Sequence, residues 1–229
     1  MRRALYVAVS VALGCIWGMA MAQTDAGSSP SEMLHEGWAL QSSSKVSQDG
    51  SEISTPTFNP EGWYPTTVPT TVLAALVKNK VYPDPYWGRN LTLLPGTENY
   101  AHNLENFSNL PMPQDSPFRV SWWFRDQFEL PPGWHGRTVW LHFKGINYRA
   151  NIWLNGQQVT TSDQTTGTWR VFDFDVSKMV SPGAPNVLAV EVSPPEANDL
   201  GVTWVDWNPA PPDKDMGLWR DVYLTSTGA

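Results

Sequence analysis

Residues 201–222 crowd tryptophans and aspartates into a stretch that its prolines break too often for a helix or a long strand. Trp204 and Trp207 each offer a flat apolar face and one N–H donor. Asp206, Asp213 and Asp215 offer acceptors for hydroxyl groups and, when ionised, charge-assisted partners for an ammonium. A sugar needs that combination, because its ring has an apolar C–H face and a polar edge. Trp204 and Trp207 suit an interface between domains equally well. Binding residues concentrate on loops of this kind, held by a rigid scaffold.

Other chemistry is missing from the sequence. It contains no phosphate-cradling glycine loop, no His-Glu-x-x-His, no Gly-x-Ser-x-Gly and no Cys/His zinc spacing. His35, His102, His135 and His142 are scattered, and His142 stands on one face of an alternating strand, where a structural role is expected. Asp173 and Asp175 flank a strand end and read as turn caps rather than as an acid/base pair. No nucleophile stands with a base. The reading therefore names no catalytic residue, no metal ligand and no cofactor.

The first 22 residues differ from the rest. Arg2 and Arg3 precede an uncharged apolar run at 4–19, and Ala20-Met21-Ala22 places small residues at a cleavage site. This is the pattern of a secretory signal peptide, implying export to the periplasm or outside the cell. A membrane anchor would need about 20 apolar residues, so no membrane association is expected after cleavage. A lipoprotein cut before Cys15 would place Ala12 at an unfavourable position. Cys15 is the only cysteine and would leave with the signal, so the mature chain must rely on its core. Cleavage leaves 13 basic against 22 acidic residues, a net charge of −9. That excess speaks against nucleic acid as a partner and favours a polycation such as a deacetylated amino-sugar polymer, though acidity also serves solubility.

The elements that must hold the loop follow from periodicity. Residues 23–31 read as a flexible mature tail and 32–229 as one domain. Residues 69–80 predict a short helix, capped by Thr70 or Thr71, with Val72, Leu73, Leu76 and Val77 on one face and lysines at its C-terminal end. After Pro117 short strands alternate with turns. Val139, Leu141 and Phe143 share one face, and so do Ala150, Ile152 and Leu154. Asn155-Gly156 marks a tight hairpin, because a type I′ turn needs positive φ at both positions. Trp122, Trp123, Trp140 and Trp153 lie on strands and are expected in the core or an interdomain face. Asp221 is expected to pair with Arg220 or a neighbouring strand. The fold class expected is all-β, an antiparallel jelly-roll β-sandwich with one short helix.

Three segments together carry a family resemblance. They are 117–159, with the pattern Gly-x-Asn-x-x-Ala-x-x-Trp-x-Asn-Gly at 145–156; 168–195, with Phe-Asp-Phe-Asp-Val-Ser; and 211–224, with Arg-Asp-Val. This order resembles the N-terminal sugar-binding, galactose-binding-like domain of glycoside hydrolase family 2, which includes β-galactosidases, β-glucuronidases, β-mannosidases and exo-β-D-glucosaminidases. Residues 63–91 and 200–222 look most like the exo-β-D-glucosaminidase group. The β-mannosidases carry Gly-Trp-Asp-Trp-Gly-Pro where this chain has Thr-Trp-Val-Asp-Trp-Asn-Pro, and endo-β-mannosidases share the framework. The resemblance implies a retaining hydrolase acting on a carbohydrate substrate. Its two catalytic glutamates would lie on a barrel beyond an immunoglobulin-like domain, both outside this chain. It also implies that Asp215 and Asn90 contact the terminal sugar. Asn90 begins one of two glycosylation sequons, the other starting at Asn106. A carbohydrate-binding module without hydrolysis, or a structural brace for the barrel, are the other readings.

Overall fold

The computed structural model describes residues 29–97, 112–202 and 210–228. Strand β1 spans Ser31–Met33, β2 Trp38–Ser42, β3 Tyr64–Thr66 and β4 Thr70–Thr71, with helix α1 (Gly50–Ile53) between β2 and β3. Helix α2 covers Val72–Lys78. The later strands are β5 (Trp122–Glu129), β6 (Thr138–Phe143), β7 (Arg149–Leu154), β8 (Gln157–Thr160), β9 (Phe172–Asp175), β10 (Pro185–Ser193), β11 (Gly217–Leu218) and β12 (Val222–Thr227).

These strands form the all-β sandwich expected. A four-stranded sheet runs β1-β12-β6-β9 and a six-stranded sheet β3-β2-β5-β10-β7-β8, while β11 and β4 make a small ladder of their own. Every pairing within the two sheets is antiparallel. The period-two pattern decides which faces meet. Val139, Leu141 and Phe143 of β6 point inward with Val222 and Leu224 of β12. Leu40, Phe124, Ile152 and Val190 meet them from the other sheet, all fully buried. Truncating one such side chain to alanine costs roughly 2–5 kcal/mol. The Asn155-Gly156 turn has φ of 51° and 80°, the double positive geometry its sequence predicts.

The strands do not begin at Pro117. β1 zips onto β12, with Ser31 opposite Thr225, so Ser31 belongs to the sheet rather than to the tail expected at 23–31. β2 lies beside β5. A three-residue strand shows no period, and β2 is buried on nearly every side chain, so neither alternates. A second helix is also present. α1 is one turn long, capped by the Asp49 carboxylate accepting from the Ser51 and Glu52 amides, too short for a 3.6-residue repeat to register.

α1 and its flanks cover the outer face of the six-stranded sheet. Trp123 and Trp153 pack there at 5.4 Å beside Ile53. Gly50 is required beneath them, because a Cβ would stand 2.1 Å from the Trp153 ring. The buried Arg125 guanidinium donates to the carbonyls of Ile53 and Thr55, both at 3.1 Å. The remaining structural expectations resolve locally. His142 is bonded to Asp173 and Thr225 and stacked on Tyr223. Asp175 caps its turn by accepting from the Ser177 amide, whereas Asp173 is spent on His142. Asp221 pairs with His35 near β1 and not with Arg220.

Candidate functional site

The β11–β4 ladder sets the site. Gly217 pairs with Thr71, and a Cβ on Gly217 would stand 2.5 Å from the Thr70 carbonyl oxygen, so the two backbones meet only because residue 217 is glycine. This contact lays the 210–216 loop across the start of α2. Thr71 caps that helix, its hydroxyl accepting from the Ala74 amide at 3.2 Å, as the sequence predicts. The Val72 amide donates to the Met216 carbonyl at 2.8 Å.

Asp213 completes the same cap. It is fully buried, and its carboxylate accepts from the Leu73 amide at 2.8 Å and the Asp215 amide at 3.1 Å. Burial, with the Asp215 charge second, pushes its pKa up to about 7 despite these bonds. Asp213 also lines the cavity in front of α2, but both of its oxygens already serve backbone amides, so structural work is what its geometry shows.

Asp215 is placed differently. Lys214 and Asp215 both have left-handed backbone, φ 51° and 56°, which costs a non-glycine residue on the order of 1 kcal/mol or more. Asn147 holds them there. This fully buried carboxamide donates to the Lys214 and Asp215 carbonyls, both at 2.8 Å, and accepts from the Thr168 hydroxyl at 2.7 Å. Its backbone exchanges two bonds with Gly217, at 2.9 and 2.8 Å. The Asp215 carboxylate so presented accepts no hydrogen bond from a described residue. Burial alone pushes its pKa up to about 6, so it is largely ionised at neutral pH. Strained backbone, a raised pKa and a carboxylate with no donor among the described residues coincide here, which makes Asp215 the candidate binding group of the cleft.

Asp215 lines two neighbouring cavities. One, of about 580 Å³, is closed by Leu73, Lys78, Asp84, Tyr86 and Leu91. The other, of about 490 Å³, is bounded by Pro69, Trp169, Val202 and Trp219. Asn90 belongs to the wall of the first rather than to its lining. Its side-chain amide donates to the Asp84 carbonyl at 2.9 Å, fastening the loop that carries Asp84 and the exposed Tyr86. Trp204, Asp206 and Trp207 lie outside the described residues. Among the described residues no group of three His, Cys, Asp or Glu is gathered to hold a metal ion.

Sequence reading passed over three contributors: Asn147, Trp169 and Trp219. Asn147 stands in the Gly-x-Asn pattern already noted, but nothing local shows that its side chain reaches residues 214 and 215. Trp169 looks like the start of a strand, yet β9 begins only at Phe172 and Trp169 is 63% exposed.

Residues 112–203 match the model of the glycosyl hydrolase 2 galactose-binding domain-like family. The chain is 36% identical over 194 residues to an exo-β-D-glucosaminidase of Amycolatopsis orientalis, covering 84% of this chain and 17% of that protein. It is 37% identical over 194 residues to an exo-β-D-glucosaminidase of Arthroderma benhamiae, covering 84% and 20%. The chain thus spans about a fifth of the length of the curated relatives it matches. The crystal structure of the Amycolatopsis orientalis exo-chitosanase superposes with a TM-score of 0.71 at 33% identity, covering 86% of this chain and 21% of that one. Sandwich, loop order and sequence agree, and the chain belongs to glycoside hydrolase family 2, as its galactose-binding-like N-terminal domain.

Proposed function

We propose that this chain is the substrate-recognition part of an exported, retaining glycosidase that removes terminal β-linked glucosamine from chitosan-type chains. The observation that carries the proposal is the Asp215 carboxylate, half-buried, charged at neutral pH and with no hydrogen-bond donor among the described residues, standing between two cavities. An ammonium beside it would exchange lost hydration for a charge-assisted bond. The relatives named exo-β-D-glucosaminidase support glucosamine as the sugar. The chemistry itself belongs to two carboxyl groups about 5 Å apart, one acid/base and one nucleophile, outside this chain. Asp215 and the loop wall at Asn90 position the sugar; they do not break the bond.

The test is Asp215→Asn in the complete enzyme, with a panel of β-glucosaminide, β-mannoside and β-galactoside substrates. Asparagine tolerates the left-handed backbone and removes only the charge. A fall in kcat/KM of about a hundredfold on the glucosaminide, with a melting temperature within about 2 °C of wild type, is the expected result. Unchanged kinetics would remove Asp215 from the site. A second reading, β-mannoside recognition, has its own support: a mannosylglycoprotein endo-β-mannosidase of Lilium longiflorum is 28% identical over 86% of this chain. Preference for the mannoside in the same panel would establish it.

A further inference from the structure

We propose that Trp169 and Trp219 form a second sugar position, so that this chain grips two linked units of an oligosaccharide, one on each side of Asp215. The inference rests on the reading of Asp215 as a sugar contact and extends it from one ring to two. The two cavities share Thr71, Ala74 and Asp215 as a common ridge, and each has a volume usual for a bound small molecule. A chain of pyranoses crossing that ridge would pass the carboxylate between one lobe and the next.

The second lobe is built as a stacking surface. Trp169 is exposed yet held, with the Trp219 ring edge-on to it at 4.9 Å and 86°. Trp219 is fixed in turn. Its Nε1 donates to the Thr168 carbonyl at 3.2 Å, and the Arg220 guanidinium covers it at 4.6 Å. It also lies so close over Gly145 that a Cβ there would stand 2.7 Å from Nε1. A large apolar ring immobilised in contact with water is positioned for something that stacks on it.

What ties this ring to a sugar, rather than to a docking domain, is its coupling to the carboxylate. One carboxamide, that of Asn147, donates to the backbone of Asp215 and accepts from the hydroxyl of Thr168, the residue before Trp169. Acid and aromatic face are thus set relative to each other through a single buried side chain. A ligand with alternating polar groups and flat C–H faces requires that relative placement; a packing surface does not.

The test compares chitopentaose with methyl β-D-glucosaminide as substrates of the complete enzyme, for wild type, Trp169→Ala, Trp169→Phe and Asp215→Asn. The expected result is a loss of kcat/KM in Trp169→Ala about tenfold larger on the pentamer than on the methyl glycoside, with Trp169→Phe recovering most of it. Equal losses on both substrates, or none on either, would overturn the second position. If Asp215→Asn still cost both substrates heavily in that case, only the second position would fall. Were Asp215→Asn without effect as well, the sugar-contact reading would fall with it.

Discussion

Asn147 and Asp215, far apart in the chain, are joined by a 2.8 Å hydrogen bond from a buried carboxamide to a carbonyl in left-handed backbone. The same nitrogen donates to Lys214, and the carboxamide oxygen accepts from Thr168, so every polar atom of the Asn147 side chain is spent on shaping one cleft. The loop keeps its strained geometry because the carbonyls it would otherwise orphan are satisfied from the sandwich interior.

Asn147→Ala is therefore expected to act on stability and recognition together. Two half-buried carbonyls lose their donor and the buried Thr168 hydroxyl loses its acceptor, a loss on the order of 2–3 kcal/mol. Chemical denaturation would read it as a lower midpoint with an unchanged slope. Oligosaccharide affinity should fall as well, since both Asp215 and Trp169 lose their support. A variant as stable as wild type would show that the loop holds its shape by other means.

The charge on Asp215 predicts a pH profile. Burial holds its carboxyl at about 6, so the ionised form, the one that the proposed recognition of an ammonium requires, grows in as pH rises through that value. On a glucosaminide, kcat/KM should rise through about pH 6 on this account, and Asp215→Asn should remove that limb of the curve. A limb that persists in the variant belongs to another group.

Asp213 should behave in the opposite manner to its neighbour. Its carboxylate serves the amides of Leu73 and Asp215, so Asp213→Ala strips α2 of a capping partner and the loop of an anchor. Lost caps cost about 1–2 kcal/mol, which in a chain of this size lowers the melting temperature by several degrees. Asp215→Asn should leave it nearly unmoved. Calorimetry on the two variants side by side decides which carboxylate builds and which binds.

Asp126 sets a pH dependence of stability away from the cleft. It is 2% exposed on β5, and burial raises its pKa to about 7 against the partial relief of Arg125 and a backbone amide. An acid held above its unfolded value keeps its proton more tightly in the folded state. Its contribution is therefore lost as pH rises from about 4 to about 7, at roughly 1.4 kcal/mol per pH unit. Asp126→Asn should flatten that decline and raise the melting temperature most above pH 7. An equal shift at pH 4 and pH 8 would assign the decline to other groups, Asp213 first among them.

The sequence alone determined the sandwich and its local punctuation. Alternation over Val139, Leu141 and Phe143 gave the inward face, Asn155-Gly156 the hairpin, Thr71 the helix cap, and the loop at 201–222 the candidate carboxylates. These signals are local, because a period of two or a positive φ is specified within a few residues. The division of labour inside the site was decided by tertiary structure. Asp213 and Asp215 are near neighbours with the same side chain and line the same cavity, yet Asp213 is bound to the amides of Leu73 and Asp215 while Asp215 accepts from no described residue. Only the approach of Gly217 to Thr70, and of Asn147 to residues 214 and 215, separates them. Strand register and long-range backbone contact set that separation, and they depend on the packing of the whole sandwich rather than on any pattern within the loop.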